Sequence, residues 1–341
     1  VWTPETTLVA SNAEGGDAFG VSVSISGDTV IVGAQSEASS ATGVNGDQND
    51  NGAFQSGAAY VFFRDAGTWV QQAYLKPAEP WVLGNFGSSV SVSGDLAVIG
   101  SFGDDSCATG IDGDPTNGTC EAAGAAYIFS RSAGSWNLST YLKASNAEAG
   151  DGFGDAVSIS DNVVVVGAPN EASCATGVDG NQSNNGCSAA GAAYLFVRQS
   201  GGAWTQEAYL KASNAEGFDL FGRAVAATDS SAYVGSVAED SCATGINGSQ
   251  SDNNCGGSGA VYRFDAGTGS WSQTTYIKAS NVNLADNFGH AVSASNGILI
   301  VGGNNEESCA VGIDGMQLSN ACADSGAAYL FDSGFIVSGT V

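Results

Sequence analysis

The segment GFGDAVSISDNVVVVGAP, residues 152–169, contains the motif from which the fold of this 341-residue chain can be predicted. Its Phe-Gly pair recurs every 67 or 68 residues, at Phe19-Gly20, Phe86-Gly87, Phe153-Gly154, Phe221-Gly222 and Phe288-Gly289. The chain therefore consists of five copies of one unit. A period of this length is too long for a helical solenoid unit.

Each copy contains four strand-like runs separated by turn residues. In the third copy, residues 156–160 turn at Asp161-Asn162 into residues 163–167, an apolar β-branched run typical of a strand covered on both faces. Residues 191–197 and 204–211 supply two further runs around a Ser-Gly-Gly turn. Because helical periodicity is absent, we predict an all-β, five-bladed β-propeller of four-stranded antiparallel blades. A stacked β-solenoid is the alternative, although its coils are usually shorter.

The repeat boundaries predict a single propeller over residues 1–333, with one further strand at the N-terminus. Residues 3–11 match the fourth strand of a unit, so we expect this N-terminal strand to complete the last blade and close the propeller. Residues 334–341 (GFIVSGTV) read as a C-terminal strand or tail. The five repeats span residues 12–78, 79–145, 146–213, 214–280 and 281–333, with the N-terminal strand at residues 3–11.

The repeated motif carries a family resemblance. The run KASNAE, then GDGFGDAVSISDNVVVVGAP in residues 143–169, resembles the FG-GAP repeat of bacterial secreted proteins, which is related to the repeat of the integrin α-subunit propeller. The resemblance covers essentially the whole chain, although only the third copy keeps Gly-Ala-Pro intact. It implies a propeller used in extracellular recognition or adhesion, often with calcium bound in loops.

Eight cysteines form four pairs, each separated by 13 positions. In the first copy the equivalent residues are Ser40 and Ala53, so both cysteines are absent together. Joint absence is what pairing within a repeat predicts, because a single loss would leave a free thiol. We therefore expect four disulfides and an oxidising compartment. A zinc site is disfavoured, since two thiolates without a nearby histidine make half a tetrahedral shell. The predicted pairs are Cys107 with Cys120, Cys174 with Cys187, Cys242 with Cys255, and Cys309 with Cys322.

Oxygen-bearing side chains occupy alternate positions within these cysteine loops. A curled loop with that spacing can direct several oxygens at one hard cation, which makes calcium the predicted ligand. The second loop is the best candidate because it has two aspartates. The alternative is that Asx and Gly residues simply form tight turns. The candidate ligands are Asn45, Asp47, Asp112, Asp114, Asp179 and Asn181. The Asp two residues before Phe in four copies is predicted to cap a turn.

The amino-acid composition limits the classes of molecule that this protein is expected to bind. With 35 Asp+Glu against 9 Lys+Arg the net charge is −26, which repels nucleic acid and anionic lipid and attracts cations. No apolar run approaches the 18 or so residues that a membrane-spanning helix needs, so we expect no membrane insertion. The expected location is secreted, extracellular or at the cell surface.

No cluster of unlike catalytic groups breaks the repeat symmetry. The single histidine, His290, stands at a variable position and reads as surface, so we expect no enzymatic activity. We expect a binding or adhesion role towards an extracellular protein or glycan. The alternative is a structural subunit that self-assembles into a filament by strand donation, and a polysaccharide-active enzyme is a distant third possibility.

Two places break the repeat and are candidates for contacts with partners. The second copy has Pro77-Ala-Glu-Pro-Trp81 where others have Ala-Ser-Asn-Ala-Glu, so Trp81 either stacks on a sugar or covers a blade edge. The C-terminal run contains Phe335, Ile336 and Val337, which either pack along the fifth blade or pair with a neighbouring subunit.

Overall fold

The computed structural model describes residues 2–317 and 319–332. Within them the chain forms nineteen β-strands and no helix. The strands are β1 Phe19–Ser26, β2 Thr29–Ala34, β3 Ala58–Asp65, β4 Thr68–Leu75, β5 Val90–Ser93, β6 Leu96–Ser101, β7 Ala125–Ser132, β8 Ser135–Leu142, β9 Ala156–Ser160, β10 Val163–Ala168, β11 Ala192–Arg198, β12 Trp204–Leu210, β13 Phe221–Ala227, β14 Ser231–Ser236, β15 Ala260–Ala266, β16 Trp271–Ile277, β17 Phe288–Ser295, β18 Ile298–Gly303 and β19 Ala327–Asp332.

Strands consecutive in sequence pair in each of five sheets, as the repeat predicts. Four sheets have four strands, and β17–β19 form the described part of the fifth. The pairing is antiparallel; for example Val163 of β10 pairs with Ser160 of β9. The second strands β6, β10 and β14 are buried along their whole length, in agreement with their continuous apolar runs. The protein is thus an all-β, five-bladed β-propeller.

The described chain divides into two compact units. One contains Val1–Ala168 with Phe196–Gln206, and the other contains Pro169–Leu195 with Glu207–Val341. No helix in the described residues is long and apolar enough to cross a membrane.

In the first unit, neighbouring blades approach closely at the repeated glycines. A side chain at Gly100, in the Val-Ile-Gly run of β6, would overlap the carbonyl oxygen of Gly154, in the Phe-Gly pair of the next repeat. Phe86 is fully buried and meets the rings of Tyr127 and Phe129 edge-on. It belongs to one apolar cluster with residues of both the first and second blades, so Phe fills the space between blades.

A serine ladder also joins the blades of the first unit. The hydroxyl oxygens of Ser22 and Ser24, on β1, accept the backbone N–H groups of Val90 and Val92 at 3.0 and 3.1 Å. Ser89 does the same for Val157 at 2.9 Å. These side chains satisfy the first strand of the following blade, whose N–H groups lack a strand partner on that side.

In the second unit the same packing recurs between the fourth and fifth blades. A side chain at Gly235 would overlap the carbonyl oxygen of Gly289. Phe288 is fully buried in a cluster with Val261 and Ile277 of the fourth blade and Tyr329 of the fifth. The repeat therefore positions its apolar residues identically in both units.

The two chain termini are the predicted sites of additional strands. Residues 2–10 form no strand, and they lie against the first blade, where Glu5 accepts a hydrogen bond from Trp69 Nε1 at 3.1 Å and Ala10 is buried. Pairing of residues 3–11 with the fifth blade therefore stays a prediction. The predicted C-terminal strand at 334–341, with Phe335, Ile336 and Val337, lies outside the described residues.

Candidate functional site

The cysteine loops connect the second and third strands of their blades, and all four predicted disulfides are present. Their Cα atoms are 5.0 or 5.1 Å apart and each bridge spans 13 positions. The bonds join Cys107 to Cys120, Cys174 to Cys187, Cys242 to Cys255, and Cys309 to Cys322. Each loop is therefore closed within its own repeat, which is the pairing that the sequence predicts.

The first blade lacks the cysteines and closes its loop differently. The Ser40 hydroxyl bonds to the carboxylate of Asp50. That bond lowers the pKa of Asp50. A polar contact thus replaces the disulfide at this one loop.

A buried ion pair lies beneath four of the loops. All four lysines of the chain occupy one repeat position, directly after the fourth strand, and all are fully buried. Each ammonium contacts a buried carboxylate from the loop that follows the second strand. The pairs are Lys76–Glu37 at 2.9 Å, Lys143–Asp104 at 3.4 Å, Lys211–Glu171 at 2.9 Å and Lys278–Glu239 at 2.7 Å. Sequence reasoning missed this network, although the lysine spacing was visible.

Tyrosines complete the pairs of the second and fourth blades. The hydroxyl groups of Tyr127 and Tyr141 donate to Asp104 at 2.8 and 3.0 Å, and Tyr276 donates to Glu239 at 2.8 Å. Burial raises the pKa of all three hydroxyls well above the usual range, because the phenolate would be desolvated next to a carboxylate. These titratable groups are therefore held as a fixed structural network.

The first residue of each alternating series bonds to the fourth strand in the first three blades. Asn45, Asp112 and Asp179 each accept the backbone N–H of a tyrosine in that strand at 2.9 Å. All three have left-handed backbones, with φ between 53° and 56°, a conformation that Asn and Asp tolerate better than most residues. These three predicted calcium ligands therefore use one oxygen each in a structural bond.

The next alternate residue forms a local turn. Asp114 Oδ1 accepts the N–H and hydroxyl of Thr116 at 2.9 and 2.7 Å, which lowers its pKa. Asp47 and Asn181 likewise accept the backbone N–H groups of the residues two positions later, Asn49 and Ser183. Turn formation, the alternative considered from the sequence, therefore accounts for the spacing. No group of three or more His, Cys, Asp and Glu side chains that could hold a metal occurs within residues 2–317 and 319–332. Calcium stays a prediction.

The aspartate before each Phe-Gly pair caps a turn, as predicted. Asp17, Asp219 and Asp286 accept the backbone N–H of the residue three positions earlier at 2.7–2.9 Å. Burial raises the pKa of Asp219 to about 7, and the carboxylate of Glu239 adds to the rise. In the second repeat the N–H of Gly84 bonds directly to the carbonyl of Trp81 at 2.9 Å instead.

Trp81 covers part of the second cysteine loop. Its ring lies so close to Gly118 that a side chain there would overlap it, and its Nε1 is buried without a hydrogen-bond partner. Beside Gly118 lies a cavity of about 650 Å³, whose lining includes Val82, Leu83, Asp105 and Glu121. The structure thus shows Trp81 covering a blade loop, and sugar stacking stays a prediction.

A second cavity, of about 600 Å³, is lined by residues of the fifth blade together with Gly245 and Lys278 of the fourth. Its walls include β19 and the loop at residues 312–315, together with Glu306. In the other four blades the fourth strand and its lysine occupy this position. His290, by contrast, is exposed on the fifth blade.

Comparison with known proteins agrees with this architecture. The family model described as FG-GAP repeat matches five segments of the chain, at residues 2–62, 69–129, 136–196, 204–264 and 271–331. A comparison with curated proteins finds no match. The matched segments cover most of the sequence and recur with the period of the blades, so the chain belongs to the FG-GAP repeat family.

Proposed function

We propose that this protein is a non-enzymatic binding module that works outside the cytoplasm. The observation that supports the proposal is that its cysteine and lysine side chains are engaged in structural contacts. Its eight cysteines form disulfides and its four lysines lie in buried ion pairs. The disulfides support an extracellular or cell-surface location, because such bonds persist in oxidising compartments.

The surface beside Trp81 is the proposed ligand site of the second blade. There the repeat departs from its pattern, an apolar ring adjoins a cavity of about 650 Å³, and Asp105 and Glu121 add acceptors for hydroxyl groups. An aromatic ring with nearby polar acceptors suits an extracellular glycan or an aromatic-rich protein surface.

A glycan array tests this site. We expect wild-type protein to bind a defined glycan class, the Trp81→Ala variant to lose that binding, and the Trp2→Ala variant to keep it, since Trp2 is fully exposed. Absence of binding across the array, with calcium present, would count against a glycan-binding function.

Calcium is proposed as a stabilising ligand of the second loop. Asp112 and Asp114 retain lone pairs beyond those used in their observed hydrogen bonds. We expect calcium to raise the melting temperature more than magnesium at equal ionic strength. The Asp114→Asn variant, which keeps the turn, should lose that difference. Equal effects of the two ions in both proteins would contradict calcium binding at this loop.

The second candidate function is a structural subunit of an extracellular filament. The observation that favours it is the fifth blade, where the described sheet has three strands and an open cavity along its edge. An unpaired strand edge is a template for pairing with another chain. Electron microscopy of the native material, with and without residues 334–341, tests it: filaments that disappear on truncation are expected, and unchanged particles would contradict donation by that segment.

A further inference from the structure

The fifth blade keeps the counterparts of two acceptors that hold a fourth strand. In the fourth blade, Asn247 Oδ1 accepts the N–H of Tyr276 at 2.9 Å, and the carbonyl of Gly245 accepts the N–H of Lys278 at 2.8 Å. The corresponding residues of the fifth blade are Asp314 and Gly312, and both line its cavity. Asp314 has the same left-handed backbone, with φ 53°, as Asn247. The backbone of this loop therefore has the same conformation at Asp314 as the loop of the fourth blade has at Asn247.

The exposed surface of β19 also matches this position. Leu330 is 71% exposed, whereas the residues at its repeat position in the first three blades, Val61, Ile128 and Leu195, are fully buried. Ile313 is 94% exposed, compared with 53% for its counterpart Ile246, which pairs with Ile277 of the fourth strand in an isolated bridge. A strand here would cover apolar surface at Leu330 that the first three blades bury.

The buried carboxylate of Glu306 indicates where a positive charge on a fourth strand would lie. Glu306 is 1% exposed, like Glu239 in the fourth blade. Its hydrogen bonds come from Asn281 Nδ2 at 2.6 Å and the hydroxyl of Ser308 at 3.0 Å. Glu239 has the equivalent bond from Asn214, and it also has the ammonium of Lys278 at 2.7 Å. A paired cation offsets the cost of burying a carboxylate charge. The position of Glu306 therefore favours a strand that carries a lysine.

The chain has no spare lysine for this position. All four of its lysines are buried in their own blades, and residues 334–341 contain none. Residues 3–11 match the fourth-strand pattern but place Thr7 and Val9 where the other strands have tyrosine and lysine. Neither terminal segment therefore offers a lysine to Glu306, and a strand that carries one would be a more complete complement.

We infer that the open edge of the fifth blade is an acceptor site for a partner β-strand with the pattern aromatic, aliphatic, lysine, whose ammonium pairs with Glu306. Backbone pairing along β19 supplies affinity, and the carboxylate supplies specificity. The net charge of −26 favours the approach of a basic segment. This inference rests on the proposed binding function and names a second, independent site for it, remote in sequence from Trp81.

The test uses the full chain and a fluorescent peptide with the sequence of residues 271–281, WSQTTYIKASN, which is the fourth strand of the fourth blade. A matched peptide has methionine in place of its lysine. Fluorescence anisotropy should show saturable binding, with the lysine peptide at least about tenfold tighter. The Glu306→Gln variant should lose that preference. The Asp324→Asn variant, which removes an exposed charge from the same blade, should keep it.

Three outcomes would overturn the inference. They are absence of saturable binding, an unchanged lysine preference in the Glu306→Gln variant, and tighter binding of a peptide of residues 2–11 than of the lysine peptide. The last result would assign the site to the chain's own N-terminal sequence. Because the two peptides are compared on the wild-type protein, the lysine preference is measured even if a variant folds poorly. Glycan binding by Trp81 is measured separately, so failure at one site leaves the other intact.

Discussion

At the scale of single residues, the chain uses charge in its interior to fix strands. Lys278 Nζ contacts Glu239 at 2.7 Å and the Ser258 hydroxyl at 2.7 Å, with no exposure to solvent. Desolvation lowers the pKa of Lys278, and the neighbouring Glu239 carboxylate opposes that shift. Such pairs add little net stability compared with apolar packing, but losing one partner is costly, because the other charge stays buried.

The fourth and fifth blades therefore provide a matched comparison. Glu239→Gln leaves a buried ammonium without its anion, and we expect a loss of about 3–5 kcal/mol in the free energy of unfolding. Glu306→Gln removes a carboxylate that has no lysine, keeps the bond from Asn281, and should cost less than about 1 kcal/mol. Urea denaturation measures both. Equal losses would show that a cation already neutralises Glu306.

Asp219 gives the protein a pH dependence that runs opposite to the usual one for carboxylates. Its pKa is raised from 3.8 to about 7, mainly by burial. Between these values the folded state binds the proton more tightly than the unfolded state, so this group's contribution to stability increases as the pH falls from about 8 towards 4. At about 1.4 kcal/mol per pKa unit, the ionised form costs the fold a few kcal/mol at pH 8.

The Asp219→Asn variant isolates that effect. Asparagine can still accept the N–H of Glu216, so we expect higher stability than wild type at pH 8 and a difference that vanishes near pH 4. Melting temperatures across this range, with Asp324→Asn as an exposed control, measure it. A constant difference between wild type and Asp219→Asn at all pH values would contradict the shifted pKa.

Among the structural elements, the loop between the second and third strands is present in the first blade, but it lacks the two cysteines that close it in the other blades. This loop nevertheless has the same backbone: Ala53 N–H bonds to Ala38 O at 2.9 Å, as Cys187 N–H bonds to Ala172 O at 3.0 Å. The double substitution Ser40→Cys and Ala53→Cys should therefore form a fifth disulfide. Closing a loop of this size contributes about 3 kcal/mol in the chain-entropy picture, less about 1 kcal/mol for the lost bond from Ser40 to Asp50.

Thermal denaturation with and without reductant measures this gain. The expected result is a melting temperature above wild type only under oxidising conditions, while the Ser40→Cys variant alone shows no gain. A free thiol count of two in the oxidised double variant would show that the loop holds the positions too far apart. The natural loops then differ from the first one in backbone as well as in side chains.

Elements were predictable from the sequence to the extent that they repeat. The Phe-Gly spacing, the paired absence at Ser40 and Ala53 and the strand alternation predicted the blades and the disulfides. The buried lysine network was not predicted, because lysine is normally a surface residue and burial depends on a partner distant in sequence. The predicted calcium ligands show the converse limit, since the same alternating oxygens form turns such as that of Asp114.

For the whole molecule, the excess of acidic over basic residues dominates the electrostatics. The net charge is −26, and four of the nine basic residues are buried lysines, which leaves five arginines to offset the acids of the surface. Many carboxylates at the surface repel one another, and compaction brings them closer together. The folded state therefore carries an electrostatic cost that depends on ionic strength.

Monovalent salt should stabilise this protein. Raising sodium chloride from 10 to 150 mM shortens the screening length from about 30 to about 8 Å, so repulsion between separate surface carboxylates weakens, while the buried lysine pairs are screened much less. We expect the melting temperature to rise by several degrees over this range. A variant combining Glu121→Gln with Asp324→Asn, both at exposed positions, should begin at a higher melting temperature and gain less from salt. A melting temperature that falls with salt would mean that surface ion pairs such as Arg64–Asp28, at 2.6 Å, outweigh the repulsion.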